Sequence, residues 1–126
     1  MARSEGTVRV ACASQGPGLL DGHFGSCSRF LVFDVGPGEL VAVEERRIEG
    51  PDKGEAATLR RLEALRDCRM VWVAGIGGPP AARLVRAGIL PVRFAGAPAL
   101  QELLDNLKAV LSDRPPPWLA KAMAAH

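Results

Sequence analysis

His23 and Cys27 stand four residues apart in one glycine-rich segment, Ser14-Gln-Gly-Pro-Gly-Leu-Leu-Asp-Gly-His-Phe-Gly-Ser-Cys-Ser28. An imidazole and a thiol are borderline and soft metal ligands. Arg29 follows directly, and a guanidinium at that place would compensate the charge of an anionic ligand. Gly22 and Gly25 flank the histidine and, having no Cβ, let a ligand approach the backbone. Asp21 and Phe24 lie among these positions and are counted with them as candidate ligand contacts.

Such a loop works only if its ends are held. Thr7-Val-Arg-Val-Ala-Cys-Ala13 before it and Arg29-Phe-Leu-Val-Phe-Asp-Val35 after it both read as strands. Between them only Leu19, Leu20 and Phe24 offer much to pack, so the loop is expected to be mobile when empty and ordered by its ligand. Gly36-Pro-Gly38 then marks a tight turn into a third strand, Glu39 to Arg47, completing an antiparallel meander. Beyond it the period changes. Gly50-Pro-Asp52 followed by Glu55 has capping-box spacing, and Leu59, Leu62 and Leu65 recur at helical intervals to about Arg66. Arg69 to Ala74 is a short apolar strand, Gly75-Ile-Gly-Gly-Pro-Pro80 turns into a helix that stops at Gly88, and Ile89 to Phe94 is a fifth strand. A third helix begins near Pro98 with Leu100, Leu103, Leu104, Leu107, Val110 and Leu111 as its apolar stripe.

Three meander strands followed by alternating helices and strands imply one α/β domain of three layers, α/β/α. Right-handed crossovers give a ribonuclease H-like mixed five-stranded sheet, order 3-2-1-4-5, with strand two antiparallel. Residues 1–6 are expected as a flexible N-terminus, and 113–126 as a Pro-rich break and a short C-terminal helix, with Trp118 stapling that tail to the domain. Ligands in such sheets bind beyond the carboxyl ends of parallel strands, where loops 14–28 and 75–80 converge. Gly75, Gly77 and Gly78 therefore join the candidate contacts. They lack the Lys-Ser/Thr of a phosphate loop and the full dinucleotide fingerprint, so close strand-helix packing is their default reading.

The 126 residues suffice to bury a core without disulfides, and the three cysteines, at 12, 27 and 68, contain no Cys-x-x-Cys pair. That usage suits a reducing compartment. A net charge of +2, with arginines scattered rather than run together, gives no nucleic-acid footprint. No apolar run approaches the roughly 20 residues that cross a bilayer, so a cytoplasmic protein is expected. A permanently held cluster usually takes four thiolates. Cys12 is in phase with Val8 and Val10 and belongs to the core, Cys68 reads as structural, and Trp72 as core. What remains, His23, Cys27, Arg29 and the glycines, could give a metal cluster one or two ligands, backbone amides and a cation, but not a full ligand set. The plainer alternative is that His23 hydrogen-bonds backbone to shape the loop and that Cys27 is a small buried apolar residue.

Leu20-Asp-Gly-His-Phe-Gly25 between two strands, Val71-Trp-Val-Ala-Gly-Ile-Gly77 leading into Leu84-Val-Arg-Ala-Gly-Ile-Leu-Pro-Val92, and the tail Pro117-Trp-Leu-Ala-Lys-Ala122 together resemble the dinitrogenase iron-molybdenum cofactor biosynthesis family, its NifX-type carriers most of all. The resemblance runs over nearly the whole chain. It implies a ribonuclease H-like fold and a non-enzymatic accessory protein that binds and transfers an iron-sulfur precursor of the nitrogenase cofactor. It also implies His23 as an iron ligand, Cys27 as a second, and partners among the assembly proteins, a NifB-like cluster donor and a NifE/NifN-like scaffold. Neither nucleic acid nor membrane is an expected partner, and a monomer is favoured. Two rivals stand beside this reading. A metal-dependent nuclease would need carboxylates on the first strand, and Thr7 to Ala13 has none. A small-molecule or nucleotide sensor would use the Gly75 to Gly78 loop.

Overall fold

The computed structural model describes residues 6–50, 53–113 and 116–124. Strand β1 (Val8–Ala13) is buried at all six positions. Val8, Val10 and Cys12 face one core, and Ala11 and Ala13 face the other, as the two-residue period of a strand requires. A strand buried on both faces belongs at the centre of a sheet. Its neighbours are antiparallel β2 (Arg29–Gly36) and parallel β4 (Met70–Val73). β3 (Glu39–Arg47) and β5 (Leu90–Arg93) form the edges, giving the order β3-β2-β1-β4-β5 that the topology argument predicts, with β2 the reversed strand. Gly38, at φ +65°, makes the turn of the β2–β3 hairpin, a left-handed conformation that favours glycine.

Helices α1 (Gly54–Ala64) and α2 (Gly78–Arg86) cover one face, α3 (Leu100–Ser112) and α4 (Pro117–Ala124) the other. Leu84 is the one buried residue of α2 and packs with Ile89, Val71 and Val73. Its truncation to alanine would cost about 2–5 kcal/mol and loosen the whole helix. On the far face Leu100, Leu104 and Leu111 meet Val10, Cys12 and Trp72, whose ring stands edge-on to Phe94 at 5.4 Å. Cys12, Cys68 and Trp72 take their expected core places.

Several expectations shift. Pro51 and Asp52, read as breaker and cap, lie outside the described residues; the cap position of α1 is Lys53, without a side-chain cap bond. Of the leucine stripe, Leu65 is fully buried and Leu62 packs against the core, whereas Leu59 is exposed and Ala57, Thr58 and Arg61 turn inward. The buried Arg61 guanidinium donates to the carbonyl of Cys27 at 3.0 and 3.2 Å and to that of Ala57 at 3.2 Å, and burying a charge requires such partners. Helix α3 starts at Leu100 and leaves Val110 exposed. In the tail, Leu119 at 2% exposure makes the staple, while Trp118 at 49% faces outward. The expected flexible N-terminus falls almost wholly outside the described residues, as do Arg114 and Pro115 of the Pro-rich break.

Candidate functional site

The segment between β1 and β2 is built by backbone rather than left loose. The Gly22 amide donates to the Ala13 carbonyl (3.1 Å), the Ala74 amide to Gly22 (2.8 Å), the Phe24 amide to Gly75 (2.8 Å), and the Leu20 amide to Pro98 (2.9 Å). His23 and Gly75 thereby form a short parallel bridge that extends the β1–β4 pairing beyond both strands. Asp21 accepts from the amides of Gln15 (2.8 Å) and Gly16, and Ser14 Oγ donates to Gly16 and Leu19 carbonyls. Leu20 and Phe24 are fully buried, Phe24 edge-on to Phe30. Leu20 and Phe24 are its buried apolar anchors, while Leu19 is exposed; the rest of the hold is backbone bonds to residues 74, 75 and 98, which no local sequence pattern displays.

The histidine ring escapes this scaffold. The His23 carbonyl accepts from Ser26 and Cys27 amides, closing a turn, yet the imidazole is exposed and has no hydrogen-bond partner among the described residues. It lines a cavity of about 940 Å³ beyond the carboxyl ends of β1 and β4. The other walls are Gly25 and Ser26 of the same loop, Gly75, Ile76 and Gly77, the start of α1, one side of α2 from Pro79 to Arg86, and Arg93 at the end of β5. Four cationic side chains, Lys53, Arg83, Arg86 and Arg93, and one carboxylate, Glu55, reach it. Arg83 is ion-paired with Glu55 across α1 and α2, whereas Arg86 and Arg93 have no ion-pair partner among the described residues. These arginines come from separate elements, so the chain's lack of a basic run concealed them. The one local hint was Arg83 and Arg86, three apart and hence on one helix face behind the Gly-Gly-Pro-Pro turn.

Other candidates are placed elsewhere. Cys27 is fully buried in the α1/α2 core; its thiol donates to the Arg29 carbonyl (3.1 Å), and burial raises its pKa, the opposite of what makes a thiolate ligand. Arg29 points to the far side of the loop, donating to Glu45 at 2.7 Å and to the Ser14 carbonyl at 3.2 Å. Gly22 serves packing: a Cβ there would meet Cys27 Sγ at 2.6 Å and Ala13 Cβ at 2.9 Å. Gly78 does not line the cavity. Helix α2 also opens on Gly78-Pro79-Pro80, and two prolines remove two of the amide donors that would cradle a phosphate.

A metal held here permanently would need more ligands, and no group of three or more His, Cys, Asp or Glu suited to a metal ion occurs among the described residues. The arrangement offers instead one accessible imidazole facing a cationic wall. No helix among the described residues is long and apolar enough to cross a membrane.

A family model described as dinitrogenase iron-molybdenum cofactor matches residues 6–110. The chain is 44% identical over 120 residues to protein NifY of Azotobacter vinelandii, covering 95% of this chain and 50% of that protein. It therefore spans half the length of that relative. It is 36% identical over 130 residues to protein NifX of Sinorhizobium fredii, covering 97% and 81% respectively. Among solved structures, the apo form of the orange protein from Desulfovibrio gigas superposes with a TM-score of 0.65 at 20% identity, over 84% of this chain and 89% of that one, a likeness of fold.

Proposed function

This chain belongs to the dinitrogenase iron-molybdenum cofactor family, and from that premise we propose that it is a non-enzymatic accessory protein of nitrogenase cofactor biosynthesis, binding an iron-sulfur precursor and passing it on. The observation that carries this reading is the His23 imidazole, exposed, free of hydrogen-bond partners among the described residues and facing a cationic cavity. Were the ring a loop-shaping residue, it would hold the loop; backbone amides, Ser14 and Asp21 do that instead.

In this reading His23 ligates an exposed iron of the cargo, and Arg83, Arg86, Arg93 and Lys53 replace Arg29 as compensation for its negative charge. Gly25 and Gly77 keep the backbone low enough for a bulky cluster to enter. Cys27 anchors the loop as a neutral thiol. One protein ligand and rim charges hold a cluster loosely, which suits a molecule that must surrender it. The partners proposed are a NifB-like donor of the cluster and a NifE/NifN-like scaffold that receives it.

The test is anaerobic incubation with the isolated iron-sulfur precursor, followed by gel filtration with iron and visible-absorbance detection. Iron should co-elute with the wild type and be largely lost from His23→Ala, which should fold normally because the ring packs no core. Equal loading of a folded His23→Ala would overturn the assignment. Binding of a nucleotide without any coloured cluster would favour the sensor reading.

A further inference from the structure

Gly75 was expected to be glycine for close packing of strand against helix, and its surroundings say otherwise. A Cβ built on Gly75 would have three near neighbours, all atoms of the His23 imidazole: Nδ1, Cε1 at 2.7 Å and Cγ at 3.5 Å. No atom of α2 or of the core comes as near. The backbone does not call for glycine either, since Gly75 is not among the residues with positive φ. What the missing methyl accommodates is therefore the histidine ring. Two residues that lie 52 apart in sequence are locked in register by the Phe24 amide donating to the Gly75 carbonyl at 2.8 Å and by the Ala74 amide donating to Gly22.

We propose that Gly75 is the positioning residue for His23, a seat against which the Nδ1 edge of the ring packs so that Nε2 is the nitrogen presented to the cavity and its metal cargo. This rests on the reading of His23 as an iron ligand. The physical logic is that of outer contacts which fix a ligand's orientation: an exposed imidazole with no hydrogen-bond partner would otherwise sample its rotamers, and each wrong rotamer lowers the population able to bind. The backbone bridge fixes where the side chain starts, and the vacant Cβ position fixes where the ring lies.

Gly78 supplies the control, because a Cβ there meets nothing within 4 Å and its φ is not positive. Gly75→Ala should push the ring off its seat and reduce loading with the isolated iron-sulfur precursor by about ten- to a hundredfold. Gly78→Ala should load like the wild type. The imidazole resonances of His23, readily assigned because His126 is the chain's only other histidine, should shift in apo Gly75→Ala and stay in place in Gly78→Ala. In the loaded wild type the larger change should fall on Nε2. A stability readout closes the argument: in a His23→Ala background the added methyl has nothing to meet, so Gly75→Ala/His23→Ala should melt with His23→Ala.

If the double variant is destabilised further or does not fold, Gly75 has a structural role independent of the ring and the proposal is overturned. Full loading of Gly75→Ala while His23→Ala does not load would likewise overturn it and leave the function standing. Full loading of His23→Ala would instead remove the functional premise itself.

Discussion

Around Arg9 the charges close on one another, while around His23 they are left facing open space. Arg9 is 2% exposed, yet its guanidinium makes a two-pronged bond to Asp34 (2.8 and 2.9 Å) and a third to Asp67 (2.8 Å). Asp67 in turn takes both prongs of Arg46 at 2.6 and 2.8 Å. Those four side chains tie β1, β2 and β3 to the turn before β4. At the cavity, neither Arg86 nor Arg93 has a carboxylate partner and the His23 imidazole has no hydrogen bond, among the described residues. The first arrangement spends its electrostatics on the fold and offers nothing to a ligand; the second forgoes stability and keeps its charge available. It also bears on the nuclease alternative, since Asp34, the carboxylate beside β1 in the sheet, is already neutralised by Arg9.

The largest effect that would sharpen this contrast comes from Asp34→Ala. Removing Asp34 takes the two-pronged partner from the buried Arg9 and leaves it Asp67 at 2.8 Å, at a cost of about 3 kcal/mol, the low end for a broken buried pair. Urea unfolding should show that loss, while loading of the folded fraction with cluster stays as in the wild type. A variant with unchanged stability would mean that the network is not what its geometry suggests.

Acid should attack the closed region next. Arg46, and after it Arg9, hold the Asp67 carboxyl far below its ordinary 3.8, so folding favours the ionised form. The resulting stability is complete above the unfolded pKa and is lost as pH falls through about 4 and below. The Asp67 side chain is 45% exposed, and solvent screening keeps its share to about 1 kcal/mol. Denaturation followed from neutral pH downward should therefore be flatter for Asp67→Asn than for the wild type. Parallel curves would assign the acid sensitivity to other carboxylates.

The same contrast shows what the sequence could disclose. Sheet order was legible because strand and helix periods, turn residues and the right-handed crossover leave few arrangements. His23 and Gly75 were legible because two loops at one sheet edge must converge. Cys27 and Arg29 looked equally well placed by spacing, but spacing does not say which way a turn faces. The Cys27 amide bonds the His23 carbonyl, which carries the thiol inward, and Arg29 opens β2 directly across from the β3 residues that bring Glu45 to it. Arg83, Arg86, Arg93 and Lys53 were illegible as a group, since no window of the chain contains them and only the packing of α1, α2 and β5 assembles them.

The smallest predicted effects are the most discriminating, because they set two arginines of the same loop-and-cavity region against each other. Arg86 is exposed, lacks an ion-pair partner among the described residues and lines the cavity, so Arg86→Gln should leave stability within about 0.5 kcal/mol. A rim charge is worth roughly 0.3–1 kcal/mol, so cluster affinity should fall about two- to fivefold, with a shallower dependence on salt. Arg29 is nearer to His23 in sequence but bonded to Glu45, and replacing it frees a carboxylate away from the cavity. Arg29→Gln should therefore change affinity less than twofold and leave its salt dependence alone. Titrating both variants with the isolated precursor at two salt concentrations decides between proximity along the chain and proximity in space. A larger loss in Arg29→Gln than in Arg86→Gln would place the cargo against the outer side of the loop, between Gln15 and Glu45, and would move the whole site.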